Sequence, residues 1–405
     1  MNDQSQPAVL GFATINHRLH KGRRFGIKPP DLLRHMLVLG KTGTGKSTLL
    51  ETLFVAQMDA GHGAGLLDPH GDLAERVIAR APRSRRNDLV VFDPARLDNK
   101  ILLNLVEPVA PELRALAAAN ALSVLRKTFA DGWGPRTEHL LRNALLTLLE
   151  TPRATLMGAL RLFIDDRYRA MSLRHVTDPV VRYFWEEEFP SYSPSLRAEA
   201  LAAPQNKLGA LLANPFIRKV VDTPRKGLDV RNLMDARRLF VANLAKGKIG
   251  EDGCAFLGAI LLARFQLAAY GRADRSADSR APFTLYVDEF PSFATPSFAE
   301  LLAEARKYGL GLVLANQHLA QLDDRLRAAL LGNAGTLAAF RLSAEDALAI
   351  EPEFAPELRA EDLARLGQHE IALKLSVDGV TSAAFTASSL PVAPYSPPQN
   401  VRGLT

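Results

Sequence analysis

The chain has 405 residues, an apolar share of 47% and a formal net charge of +6, the profile of a globular protein able to build a sizeable core. Its single cysteine, Cys254, excludes an intrachain disulfide and is expected to be a small buried residue, and its nine histidines show no metal-ligand spacing. No run reaches the roughly eighteen uninterrupted apolar residues of a membrane span, because the nearest, 256–270, carries Arg264 in its middle. The positive charge suits a polyanion without requiring one. The opening MNDQSQPAVLGF lacks a basic start followed by an apolar stretch, so no secretory leader is read and the cytoplasm is the expected compartment.

In chain order, residues 17–24 gather His17, Arg18, His20, Lys21, Arg23 and Arg24 into a basic segment, expected as a solvated arm ahead of the first core strand. Residues 35–39 are a short apolar run that ends in a glycine-rich turn, and 47–58 then reads as a helix. Runs at 64–68 and 89–93, each closing on Asp-Pro, predict two more strands around a helix over 73–81. Alternation of strand and helix implies a parallel sheet with helices on both faces, an α/β fold.

After about Pro108 the sequence turns Ala-, Leu- and Arg-rich with few β-branched residues until about Arg231. Leu141, Leu145 and Leu148 line one helix face, and turns near Pro190 and Pro194 divide the block, which reads as an all-helical insertion. Strand signals resume at 239–244, 284–288, 311–315 and 336–342. Runs at 371–377 and 380–385 flank Asp378-Gly379, a pair suited to a two-residue hairpin. From Ser389 the chain is Pro- and Ser-rich and reads as an extended tail.

Gly40-Lys41-Thr42-Gly43-Thr44-Gly45-Lys46-Ser47 matches the full phosphate-loop pattern G-x-x-x-x-G-K-[ST], between a predicted strand and a predicted helix. Its glycines allow backbone N–H groups to turn toward phosphates, Lys46 reaches the β- and γ-phosphates, Ser47 ligates Mg²⁺, and Gly40, Thr42, Gly43, Thr44, Gly45 and Thr48 complete the expected nucleotide-binding set. ATP and Mg²⁺ are therefore the expected cofactors. The run 284–287 delivers Asp288 and Glu289 at a strand's carboxyl end, as in a Walker B motif: Asp288 for the metal, through water, and Glu289 as the base acting on the attacking water. Gln317, ending the run 311–315, is placed to sense the γ-phosphate or that water. Arg306, near the end of a helix between these two strands, reads either as a capping charge or as a trans-acting arginine finger, with Arg341 as the alternative finger.

Together HMLVLGKTGTGKSTLL, GLLDPHGDL, LYVDEF, ARKYGLGLVLANQ and GNAGTLAAFRLSAEDA resemble the HerA/FtsK superfamily of P-loop motors, and within it the coupling ATPases of conjugation and type IV secretion. The resemblance implies a RecA-like domain split as 1–107 and 233–388 around an all-helical insertion at 108–232, with 389–405 as the tail. It also implies a hexameric ring that moves DNA without reading its sequence, and partnership with a relaxase or a membrane secretion complex. The turn Asp68-Pro69-His70-Gly71-Asp72 recurs in that family near the nucleotide. Typical coupling proteins begin with membrane helices, whereas only about thirty-five residues precede the first core strand here; the expectation is a motor without its own span, recruited to the inner face of a membrane by partners.

Overall fold

The computed structural model describes residues 8–13, 23–129 and 133–390. Its strands are, in chain order, β1 (Ala8–Ala13), β2 (Arg23–Ile27), β3 (Met36–Leu39), β4 (Gly63–Asp68), β5 (Leu89–Phe92), β6 (Leu239–Asn243), β7 (Phe283–Val287), β8 (Leu310–Asn316), β9 (Thr336–Ala339), β10 (Glu370–Lys374), β11 (Ser376–Val377), β12 (Val380–Thr381) and β13 (Phe385–Ser389). Eleven form one sheet in the order β2-β1-β13-β10-β9-β3-β8-β7-β4-β6-β5, while β11 and β12 pair only with each other. From β9 to β5 every pairing is parallel; β10, β13, β1 and β2 add an antiparallel edge.

The parallel strands are nearly continuous apolar runs because they are covered on both faces, and alternate residues serve opposite cores. Leu37 and Leu39 of β3 join Leu285 and Val287 of β7 on one side; Met36 and Val38 join Tyr286 on the other. The second core is completed by the helices Lys46–Asp59 and Asp72–Ala79. A buried Glu51 on the first of these accepts from Arg76 Nε and Arg80 Nε on and just beyond the second, each at 2.7 Å, which fixes the two helices relative to each other.

Between β5 and β6 the described residues hold helices and coil but no strand. Local chemistry starts these helices: Pro occupies the first turn of Pro135–Glu150, Pro179–Tyr183, Pro194–Ala213 and Pro215–Val221, where its missing N–H costs nothing. Asp178, Ser193 and Asn214 accept from backbone N–H groups at the last three. Leu141, Leu145 and Leu148 are buried as the helical spacing requires, within a core shared with one face of the sheet. That sharing runs through the helix Glu251–Gly271, which packs on Arg114–Thr128. The stretch Glu251–Asp274 is long and apolar enough to cross a membrane by length and composition, and 72% of its most apolar window is buried inside the protein, as expected of a core helix. Cys254 lies on it, buried, with burial pushing its thiol up to about 12.

The edge differs from expectation. Arg23 and Arg24 belong to β2 rather than to an arm, Ser389 closes β13 rather than opening a tail, and residues 14–22 and 391–405 lie outside the described residues. Asp378 and Gly379, at φ 52° and 86°, do form the two-residue turn between β11 and β12. The strand β10 nevertheless pairs with β13 and β9, so the hairpin is the tip of a longer antiparallel excursion.

Candidate active site

Parallel registers bring the motif residues to one edge. Leu39 lies beside Asn316, and Val287 beside Leu314, so the loop after β3 and the acidic couplet after β7 flank the end of β8. Gly43 sits at φ 75° and Gly45 at φ 124°, conformations that admit glycine and disfavour other residues. Thr44 Oγ1 donates to Lys41 O at 2.7 Å and tightens the loop. Lys46, 7% exposed, donates from Nζ to the carbonyl oxygens of Gly40 and Lys41. Burial lowers its pKa against the pull of Asp288 and Glu289, which leaves a poorly solvated ammonium in a loop built for phosphate. Thr48 follows in the helix and is half-buried.

Ser47 Oγ donates to Asp288 Oδ2 at 3.1 Å. Burial, then the nearby Asp68 carboxylate, pushes the Asp288 carboxyl up. Among the described residues no cluster of three or more His, Cys, Asp or Glu could cage a metal. A hydroxyl and a carboxylate that already meet fit Mg²⁺, which takes one or two protein oxygens and fills its octahedron with phosphate and water.

Glu289 adopts the left-handed region, φ 46°, ψ 47°. Its carboxylate Oε1 accepts from Gln317 Nε2 and lies 2.9 Å from His70 Nε2, while Lys246 Nζ lies 3.7 Å from Oε2. Gln317 Oε1 in turn accepts from Thr42 Oγ1 at 3.0 Å, so one amide spans the phosphate loop and the acidic residue. Burial pushes the Glu289 carboxyl up, and His70, Lys246 and Gln317 outweigh it, leaving the group below the ordinary carboxylate range. Lys246 had no place in the sequence reading, and His70 entered it only within the 68–72 turn that the resemblance puts near the nucleotide. The available signal was that both follow strands that end at this edge, β4 and β6.

Arg306 stands elsewhere. It lies in the 3₁₀ segment Ala305–Tyr308 ahead of β8, and the seven residues of β8 separate it from Gln317 by about 20 Å at the usual rise per residue. It is exposed, on a recess of about 440 Å³ with Arg34, Asn333, Glu353 and Lys374. Behind it His35, 3% exposed, accepts the Leu312 N–H at Nδ1 and therefore donates from Nε2 to Leu302 O at 3.0 Å. Burial holds its pKa at about 4, assisted by Arg306 and opposed by the Leu302 contact. Arg341 takes the opposite position: it follows β9 at the phosphate-loop edge, and its carbonyl accepts the Lys41 N–H at 3.0 Å.

A complete phosphate loop, an acidic couplet and a bridging glutamine at the carboxyl edge of a doubly covered parallel sheet make this a RecA-like fold of the P-loop NTPase type. Residues 22–149 match the family model for the central domain of the helicase HerA, and residues 282–350 match that for the TraM recognition site of TraD and TraG. The bacterial conjugative coupling protein TrwBdeltaN70, unbound, superposes with a TM-score of 0.64 at 16% identity, over 91% of this chain and 88% of that one. The plasmid coupling protein TrwB in complex with ADP and Mg²⁺ gives 0.65 at 16% identity, over 92% and 89%. VirB4 of Thermoanaerobacter pseudethanolicus gives 0.61 at 16% identity, over 96% and 97%. No curated protein matches the chain by sequence. Residues 22–149 are thus similar to the HerA central domain and residues 282–350 to the TraD and TraG segment, and the chain as a whole shares the fold of the TrwB and VirB4 structures.

Proposed function

We propose that this chain is a Mg²⁺-dependent ATPase that assembles into a ring, grips phosphates without reading sequence, and moves DNA in conjugation or a related transfer process. The observation that carries the hydrolytic part is the Thr42–Gln317–Glu289 chain, which joins the phosphate loop to a carboxylate placed to act as base. Water attacks the γ-phosphorus in line, a new P–O bond forms, the bond to the ADP oxygen breaks, and the water proton passes to Glu289. Lys46 and the loop amides balance charge on the phosphoryl oxygens. Ser47 and Asp288 would hold Mg²⁺, which supplies further neutralisation of phosphate charge.

Arg306 supports the ring. An exposed guanidinium at the far edge of its own sheet is unable to serve its own nucleotide but suits a neighbour's, and sites between subunits are the economical arrangement for a trans-acting arginine. The likeness to the conjugative coupling protein TrwB and the TraD/TraG match support a DNA substrate and a partner in a transfer apparatus at the inner face of a membrane. The equally extensive likeness to VirB4 favours a second reading, in which the same ATPase serves a secretion complex and handles protein. A HerA-like DNA-processing motor is the remaining variant of the first reading.

ATP turnover measured with and without single- and double-stranded DNA at low salt separates these readings. A translocase is stimulated and loses DNA as salt rises, because phosphate contacts release counterions; indifference to every DNA form, with no binding, removes the translocase reading. Glu289→Gln is expected to bind ATP and lower turnover by about a hundredfold or more.

A further inference from the structure

The Asp68-Pro69-His70-Gly71-Asp72 turn has a construction that fold alone does not require, and it ends on the candidate base. Asp68 is fully buried, and its carboxylate accepts the His70 N–H and the Ala74 N–H, each at 2.9 Å. Gly71 takes φ 93°, and a Cβ there would stand 2.7 Å from Asn243 Oδ1 and 3.1 Å from Ala245 Cβ. The turn is therefore pressed against the loop after β6. Two backbone bonds lock the pair: Leu244 N–H donates to Asp68 O and Lys246 N–H to Pro69 O, both at 2.9 Å. The product of this bracing is one imidazole, partly exposed, with Nε2 2.9 Å from Glu289 Oε1.

We propose that His70 is a positioning residue for the Glu289 base, a role that rests on the hydrolytic reading above. A carboxylate oxygen has two good acceptor directions. On Oε1 the Gln317 amide and the His70 N–H take both, which fixes the plane of the carboxylate and leaves Oε2 as the oxygen that receives the water proton. Gln317 alone fixes one direction and leaves the group free to rotate about it. Two donors from different strands, β8 and β4, remove that rotation. The Nε2–H tautomer suffices, because a neutral imidazole donates from that atom. Lys246, farther away at 3.7 Å from Oε2, is the weaker contact and competes for the working oxygen rather than anchoring the idle one.

The test compares His70→Ala and His70→Gln, each in the otherwise native chain and in a Glu289→Gln background. Steady-state turnover, ATP affinity and thermal midpoint are read together. Because Asp68 and the backbone hold the turn, His70→Ala should keep its thermal midpoint and its ATP affinity while kcat falls by roughly ten- to a hundredfold. Glutamine, which can present an N–H to the same oxygen, should recover much of the loss. In the Glu289→Gln background the imidazole should no longer matter, since interacting residues are not additive. Equal losses in both backgrounds, or a His70→Ala enzyme with native kcat, overturn the positioning role and leave the hydrolytic reading standing. Native turnover by Glu289→Gln overturns that reading and this proposal with it.

Discussion

The two edges of the parallel sheet are built for opposite charge. At the carboxyl edge Asp68, Asp288 and Glu289 gather around one buried ammonium, Lys46, and an amide, Gln317. At the amino edge Arg34 and Arg306 open on a recess, and the buried group behind them is a neutral histidine. The carboxyl edge carries the phosphate loop and the acidic couplet, with the exposed Arg341 at its margin, whereas the amino edge carries Arg34 and Arg306 on its recess. On the ring reading proposed above, stacking one chain's amino edge on the next chain's carboxyl edge would bring Arg306 to a neighbour's phosphate loop, and the contrast between the edges is what such an arrangement would use.

That contrast breaks if the amino edge is catalytically idle. Arg306→Ala is expected to lower turnover by about a thousandfold, and variant subunits mixed with native ones should depress the native rate; a variant that leaves native partners unaffected reduces Arg306 to a helix-end charge. Lys46→Ala, at the other edge, should lower turnover by about a hundred- to a thousandfold, and fluorescent-nucleotide titration should show weakened ATP binding, which Arg306→Ala keeps.

The buried histidine sharpens the comparison through stability. Its folded pKa of about 4 lies below the unfolded value of 6.5, so between those values the unfolded chain binds more protons. Stability from this group is therefore complete above pH 6.5 and is lost as pH falls toward 4, by up to about 3 kcal/mol. Denaturation of the native chain and of His35→Asn across that window should show the two curves converging at low pH; parallel curves break the account. The smallest effect is expected at Arg341. Only its backbone carbonyl engages the phosphate loop, so Arg341→Ala should change turnover by less than about threefold, within the range of ordinary surface substitutions.

Much of the carboxyl edge was legible in the sequence because each of its signals is local. A strand, a turn and a helix follow one another around Gly40–Ser47, and the acidic couplet and Gln317 each end an apolar run, so a parallel sheet delivers them to the same side. What local pattern does not carry is order across the sheet. That β8 stands between β3 and β7, letting Gln317 bridge Thr42 and Glu289, depends on pairings between residues far apart in the chain. The contact between His70 and Glu289 depends on the same order, through β4 beside β7. Apart from β10, which overlaps the run read at 371–377, the antiparallel edge was missed for a related reason: β1 pairs with β13, from the other end of the described chain, and no short-range periodicity announces such a partner. Arg34 carried no reading and His35 was read only as the first residue of the 35–39 run, and their recess forms where 34–35, 302–306, 331–337, 353 and 374–381 meet.

The left-handed backbone at Glu289 has a consequence for anyone improving this protein. A residue with a Cβ costs about 1–2 kcal/mol in that conformation, and glycine escapes the cost. A laboratory selection that rewards heat resistance alone would therefore drift toward glycine at this position and return a sturdier molecule that has forgotten how to burn its fuel.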